Sequence, residues 1–258
     1  MLGPVTGAVD LGSADAKLIG ENAFDWAGYS VSGAGDVDGD GLDDLFVGAP
    51  QNSAGGLEAG AAYLVLGPVS RYVDLAVSAD ATLVGEEALD EAGCSVSGAG
   101  DVDGDGLDDL LVGARESDAG ADDAGAAFLV LGPVSGNVGL ALADARILSG
   151  SPLERAGIVS DAGDVDADGF ADVLVGASAS SVGGAAYVLL GPLSGTRSLS
   201  SAEARLVGEV PGDHGDKVSG AGDVDGDGFD DLIFGSAYNG AGGDYAGAAY
   251  RKCPANPS

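Results

Sequence analysis

The sequence predicts an all-β protein, a β-propeller of four-stranded antiparallel blades. Three observations carry that prediction. The first is repetition. SGAGDVDGDGLDDL at 32–45 returns at 97–110, as SGAGDVDGDGFDDL at 219–232, and in degraded form as SDAGDVDADGFADV at 160–173. The first aspartates of these copies, Asp36, Asp101, Asp164 and Asp223, are spaced by 65, 63 and 59 residues. The second is punctuation. The rest of each repeat is a series of short runs rich in Val, Leu, Ile and Tyr, bounded by Gly, Pro, Asp or Ser, which is how strands are written. The third is glycine, 47 of 258 residues, too many for helices and suited to strands crowded near an axis.

Four runs recur in order. The first strand leads into the aspartate cluster: GYSVSGAG, GCSVSGAG, GIVSDAG and GDKVSGAG. The second leaves it: LFVGAP, LLVGAR, VLVGAS and LIFGSA. After a Gly/Ala/Asp-rich loop comes the third: GAAYLVLGP, GAAFLVLGP, GAAYVLLGP and a truncated GAAY at 247–250. The fourth is KLIGE, TLVGE, RILSG and RLVGE, starting at Lys17, Thr82, Arg146 and Arg205. Four-stranded repeats placed radially are propeller blades. This gives one domain over 1–250, with repeats at about 28–86, 93–149, 157–209 and 215–250, and an irregular tail over 251–258.

The last repeat lacks its fourth strand, and the N-terminus carries a spare one at 16–21. If the ring closes on itself, that strand completes the last blade and hides an edge. A larger ring would leave it exposed, and pairing of two chains into an eight-blade ring is the third arrangement. All three stay open at the level of sequence.

The charge excludes several functions. With 42 acidic against 10 basic side chains the net charge is −32, so a nucleic-acid partner is not expected. No apolar run is long enough to insert in a membrane. A single histidine, His214, sits in a loop with no nucleophile marked beside it, so no Ser/His or Cys/His catalytic site is expected.

The clusters have the chemistry of a hard cation. Asp at positions 1, 3 and 5 with Gly at 6 resembles the first half of an EF-hand loop, and Ca²⁺ takes six to eight oxygens. The EF-hand reading then fails, because position 12 is Val47, Val112, Val175 or Phe234 within an expected strand. Position 9 is always Asp, whereas position 8 is Asp43, Asp108, Ala171 and Asp230. Position 9 is therefore the expected ligand and position 8 the dispensable one. The expected ligands are Asp36, Asp38, Asp40, Asp44 and the Leu42 carbonyl; Asp101, Asp103, Asp105, Asp109 and the Leu107 carbonyl; Asp164, Asp166, Asp168, Asp172 and the Phe170 carbonyl; and Asp223, Asp225, Asp227, Asp231 and the Phe229 carbonyl. About four Ca²⁺ are expected. Nineteen aspartates packed into four loops would repel one another without metal.

GYSVSGAGDVDGDGLDDLFVGAP followed by GAAYLVLGP resembles the FG-GAP repeat of integrin α-subunits and their bacterial relatives. The resemblance covers essentially the whole chain. It implies a propeller with Ca²⁺ in the loop between the innermost strand and the next, an extracellular or cell-surface location, and a role in adhesion. It also implies a protein or glycan ligand on the face opposite the calcium loops, where the loops between repeats differ most. Integrin propellers have seven blades and this chain has four repeats. The third repeat carries Ala167 and Ala171 where its sisters have Gly and Asp, which points to a weaker site.

The expected function is a calcium-stabilised adhesion or ligand-binding module, not an enzyme. The alternative is a propeller lyase or hydrolase acting on polysaccharide, which would need a His, Tyr, Lys or Arg cluster in its channel. No signal peptide begins the chain, so an extracellular location treats Met1 as a fragment boundary. Trp26 is expected to pack between blades, and Cys94 to be a small buried apolar residue. A Cys94–Cys253 disulfide is neither favoured nor ruled out by the sequence.

Overall fold

A computed structural model of the 258-residue chain describes residues 8, 10–179, 184–209, 215–244 and 246–253. His214 lies outside them. The described residues form a two-stranded parallel sheet and four further sheets, each built on an antiparallel meander whose first strand is innermost. The first sheet is β2 (Ser30–Gly35), β3 (Asp44–Ala49), β4 (Ala61–Val65) and β6 (Ala81–Val84). The second is β7 (Ala92–Gly100), β8 (Asp109–Ala114), β9 (Ala126–Val130) and β11 (Ala145–Leu148). The third is β12 (Ala156–Gly163), β13 (Asp172–Ala177), β14 (Ala185–Leu189) and β16 (Ala204–Val207). The fourth has three strands, β17 (Gly215–Gly222), β18 (Asp231–Ser236) and β19 (Ala248–Lys252). Neighbouring sheets pack face to face with their inner strands β2, β7, β12 and β17 adjacent in series, the β-propeller arrangement.

Alternation along the second strand of each sheet builds the core. Phe46 faces Leu110 and Val112 of the next sheet, Leu111 faces Val173 and Val175, and Leu174 faces Leu232. Glycine sets how closely the sheets approach. A Cβ on Gly48 would lie 2.0 Å from the Gly93 carbonyl oxygen, and one on Gly113 would lie 1.8 Å from that of Gly157. No side chain fits there.

A fifth strand, beyond the four sequence runs, joins the first and second sheets. The connector leaving each third strand first runs along the outer edge of the preceding sheet. β10 (Gly136–Gly139) pairs in parallel with β6, and β15 (Gly195–Ser198) with β11. A short helical turn then buries a leucine, Leu140 or Leu199, and returns the chain to its own sheet. β5 (Arg71–Asp74) behaves in the same way, and its parallel partner is β1 (Ala16–Ile19). Helix α1 (Leu75–Ser78) comes next and buries Leu75.

Among the described residues the N-terminal strand does not close the ring. β1 is hydrogen-bonded to β5, and the sheet β17–β18–β19 ends at β19. The physical reason is order. β5 anchors β1 against the first sheet, while β19 belongs to the last sheet of the series. β1 and Leu75 cover much of the outer face of the first sheet, but an apolar side chain is left exposed at each end of the series. Val31 is 67% exposed at one end and Ile233 is 42% exposed at the other, whereas Leu111 and Leu174, which correspond to Ile233, are buried.

Two smaller expectations change, and one open question closes. The tail is shorter at its start, since Arg251 and Lys252 belong to β19. Trp26 is not between sheets; it is 56% exposed and stacks on Tyr29 with ring centroids 6.1 Å apart. Cys94 is buried, as expected, but Cys94 and Cys253 are both free thiols.

Candidate metal centre

Each acidic loop begins at a bulge. Register slips between Gly33 and Gly35, Gly98 and Gly100, Asp161 and Gly163, and Gly220 and Gly222, and the second glycine of each pair has positive φ. An extra residue there bends the strand and aims the acidic loop beyond it. Positions 4 and 6 of the loop are also left-handed. Gly41, Gly106, Gly169 and Gly228 hold φ between 87° and 95° at position 6. At position 4, Ala167 holds φ 58° where the other loops place glycine, a strained geometry for a residue with a Cβ.

The side chains complete the curl. In the first loop Asp36 Oδ2 accepts from Gly41 N at 2.9 Å, Asp38 Oδ1 from Asp40 N at 3.1 Å, and Asp40 Oδ1 from Leu42 N at 2.8 Å. The second loop repeats this with Asp101, Asp103 and Asp105 on Gly106, Asp105 and Leu107. The third repeats it with Asp164, Asp166 and Asp168 on Gly169, Asp168 and Phe170. In the fourth, Asp223 and Asp227 accept from Gly228 and Phe229. Backbone donors, Gly228 first, hold the exposed Asp223 carboxyl below its ordinary range.

Carboxylates therefore converge. Ligand atoms of Asp36, Asp38 and Asp40 lie within 4.8 Å of one another, as do those of Asp101, Asp103 and Asp109, of Asp164, Asp166 and Asp172, and of Asp223, Asp225 and Asp227. Positions 1 and 3 meet in every loop, joined by position 5 or position 9.

Position 9 also has a structural task. Asp44 Oδ2 accepts from Val37 N at 2.9 Å and Oδ1 from Gly67 N at 2.8 Å, tying the loop to the Gly–Pro turn beyond the third strand. Asp109 does the same with Val102 and Gly132, and Asp172 with Val165 and Gly191. These residues are at most 1% exposed. Burial pushes the Asp109 and Asp172 carboxyls up to about 6, and raises Asp44, against those backbone donors.

Position 8 has a structural task in two of the loops. Asp36 N donates to Asp108 Oδ2 at 2.7 Å, and Asp108 N donates back to the Asp36 carbonyl at 3.2 Å. Asp164 and Asp230 form the same reciprocal pair at 2.9 and 3.1 Å. Between the second and third loops only the backbone half survives, Ala171 N to the Asp101 carbonyl at 2.9 Å. The partners belong to different repeats, so no local pattern reveals them.

The residues fit a hard divalent cation on one further count. Asp36 Oδ1 is buried and accepts no hydrogen bond. A buried carboxylate oxygen without a partner, in a cluster of carboxylates, is stabilised by a positive charge. Such an ion would supply that charge to Asp36, Asp38, Asp40 and their counterparts.

On the opposite face a second polar system ties sheets together. Asn52 Nδ2 donates to Asp25 Oδ2 at 3.0 Å and to Tyr63 Oη at 3.0 Å, and Tyr63 Oη donates to Glu21 Oε2 at 2.9 Å. In the third sheet Glu154 accepts from Ser149 Oγ at 2.5 Å and from Tyr187 Oη at 2.7 Å beside a groove of about 670 Å³. Burial, then the Glu154 hydrogen bond, pushes the Tyr187 phenol up to about 12, so it stays neutral.

The FG-GAP repeat family matches residues 27–65 and 95–130. Integrin alpha-V from Gallus gallus is 32% identical over 227 residues, covering 83% of this chain and 20% of that protein. Integrin alpha-PS5 from Drosophila melanogaster is 30% identical over 227 residues, 84% of this chain and 21% of that protein. Integrin alpha pat-2 from Caenorhabditis elegans is 30% identical over 235 residues, 84% and 18% respectively. The chain spans about a fifth of the length of these curated relatives. Among the described residues no helix is long and apolar enough to cross a membrane.

Proposed function

The chain is an integrin α-like assembly of FG-GAP repeats, and from that premise we propose that it is a calcium-binding propeller acting as an extracellular adhesion or ligand-binding module, with the calcium structural. The observation that carries the reading is the unpartnered, buried Asp36 Oδ1 within three converging carboxylates, set in a loop shape that recurs in each repeat. The ligands in each loop are the aspartates at positions 1, 3, 5 and 9 with the carbonyl of position 7. Position 9 has lone pairs left for a cation after accepting its two backbone N–H groups.

The ions act by binding the folded chain and not the unfolded one. Saturation at ~10 Kd adds about 1.4 kcal/mol per site. Affinities of roughly 10⁻⁴–10⁻³ M, the range of extracellular modules, suit an environment richer in calcium than the cytosol. Four ions would bring the net charge from −32 to −24. The partner is a protein or glycan on the face opposite the calcium loops, where loops 21–27, 51–58, 86–92 and 116–123 differ between repeats. Dimerisation belongs to the same proposal, because the exposed Val31 and Ile233 lie on the two kinds of surface that meet between neighbouring sheets.

The test is scanning calorimetry with calcium and with a chelator. A melting temperature that rises by several degrees in millimolar calcium supports the reading. An unchanged one removes the metal from it.

A further inference from the structure

We propose that the fourth acidic loop is closed by the chain's own arginine, Arg251, so that the protein takes up three divalent ions and not four. The proposal rests on the calcium reading above, lowers its count of ions from four to three and names the residue responsible.

Register identifies what Arg251 replaces. It lies opposite Ile233 on β18, as Leu64 lies opposite Phe46, Leu129 opposite Leu111 and Val188 opposite Leu174. Those three residues are buried, each on the face that meets the next sheet or its core. The fourth sheet has no described sheet over that face, and Ile233 is exposed there. A long cationic side chain at this position is free to turn along the sheet to the loop.

It does so. Arg251 Nη1 lies 3.1 Å from Asp231 Oδ2, and Nη2 lies 3.3 Å from Asp225 Oδ2. These are positions 9 and 3 of the loop. Their counterparts in the second and third loops gather with position 1 into a single carboxylate cluster. In the fourth loop position 9 gathers instead with Asp225 and Cys253, whose Sγ is 3.2 Å from Asp225 Oδ2. The guanidinium bonds to the oxygens that a cation at about 2.3–2.6 Å would need. It supplies one positive charge permanently, since arginine does not lose its proton. An ion entering this loop must first displace an ion pair that the other loops lack.

Calcium bound per folded chain, counted by equilibrium dialysis at saturating calcium, tests this. The expected count is three for the natural chain and four for Arg251→Leu, which restores the residue type of Leu64 and Leu129. Arg251→Gln should also gain a site, which guards against a folding defect in the leucine variant; circular dichroism checks both. Asp38→Asn should lose one ion in every background. A count of four in the natural chain, or no gain in either variant, overturns the role of Arg251 and leaves the calcium reading standing. A count of zero in all of them overturns the calcium reading itself.

Discussion

Asp36 and Asp108 hold each other across two repeats: the Asp36 N–H donates to Asp108 Oδ2 at 2.7 Å while the Asp108 N–H donates to the Asp36 carbonyl. Asp43 occupies the same loop position as Asp108 but is exposed. Asp108→Ala should therefore cost about 1–2 kcal/mol through the unsatisfied Asp36 N–H, and Asp43→Ala under about 0.5 kcal/mol. Urea denaturation of the calcium-free protein reads the difference. Equal losses would mean the carboxylate does not tie the loops.

Positions 5 and 9 should separate metal binding from folding. Asp109→Ala abandons the Val102 and Gly132 N–H groups in a buried site and should cost roughly 2–4 kcal/mol even without metal. Asp105→Ala removes an exposed carboxylate and should cost little in a chelator. Both should weaken calcium binding at the second loop. The comparison is a melt of each variant with and without calcium.

Ala167 is the one left-handed position in the acidic loops that lacks glycine. Ala167→Gly should relieve the strain and stabilise the calcium-free protein by about 0.5–1 kcal/mol, despite the entropy that glycine adds to the unfolded chain. A variant less stable than the parent would show that the loop carries no strain there.

Asp90 gives a pH dependence away from the acidic loops. Burial pushes its carboxyl up to about 6, with Glu86, Glu87 and Asp118 adding to the rise against the Glu87 N–H it accepts. The folded state thus holds this proton more tightly than the unfolded state. Its stabilisation is complete below the ordinary aspartate value and is lost as pH rises through about 6. Relative to Asp90→Asn, the natural chain should lose on the order of 2 kcal/mol between pH 4 and 7. Denaturant midpoints across that range measure it, and parallel curves would contradict it.

The sequence announces most of this architecture because its signals are local. Period, strand runs and glycine placement reveal the sheets, and the acidic loops fold largely through bonds within nine residues. The features it hides depend on distant partners. β10 reads GNVG and β15 reads GTRS, short exposed segments without strand alternation, and they become strands only because an edge is waiting. The Asp36–Asp108 pair joins residues 72 positions apart. Trp26 reads as core because nothing in its local sequence shows that its ring is left exposed. Arg251 reads as the start of an irregular tail, because only strand register puts it beside Ile233.

The borrowed outer strands have a consequence for dissection. β10 completes a sheet that precedes its own repeat, so the units overlap like roof tiles and share no clean seam. A cut after residue 86 would strip the first tile of its border, and a cut before residue 140 would keep that border but sever β11 from the second sheet. Excised single repeats should therefore be poor folding units, and an excerpt of the first sheet must run through β10 of its successor.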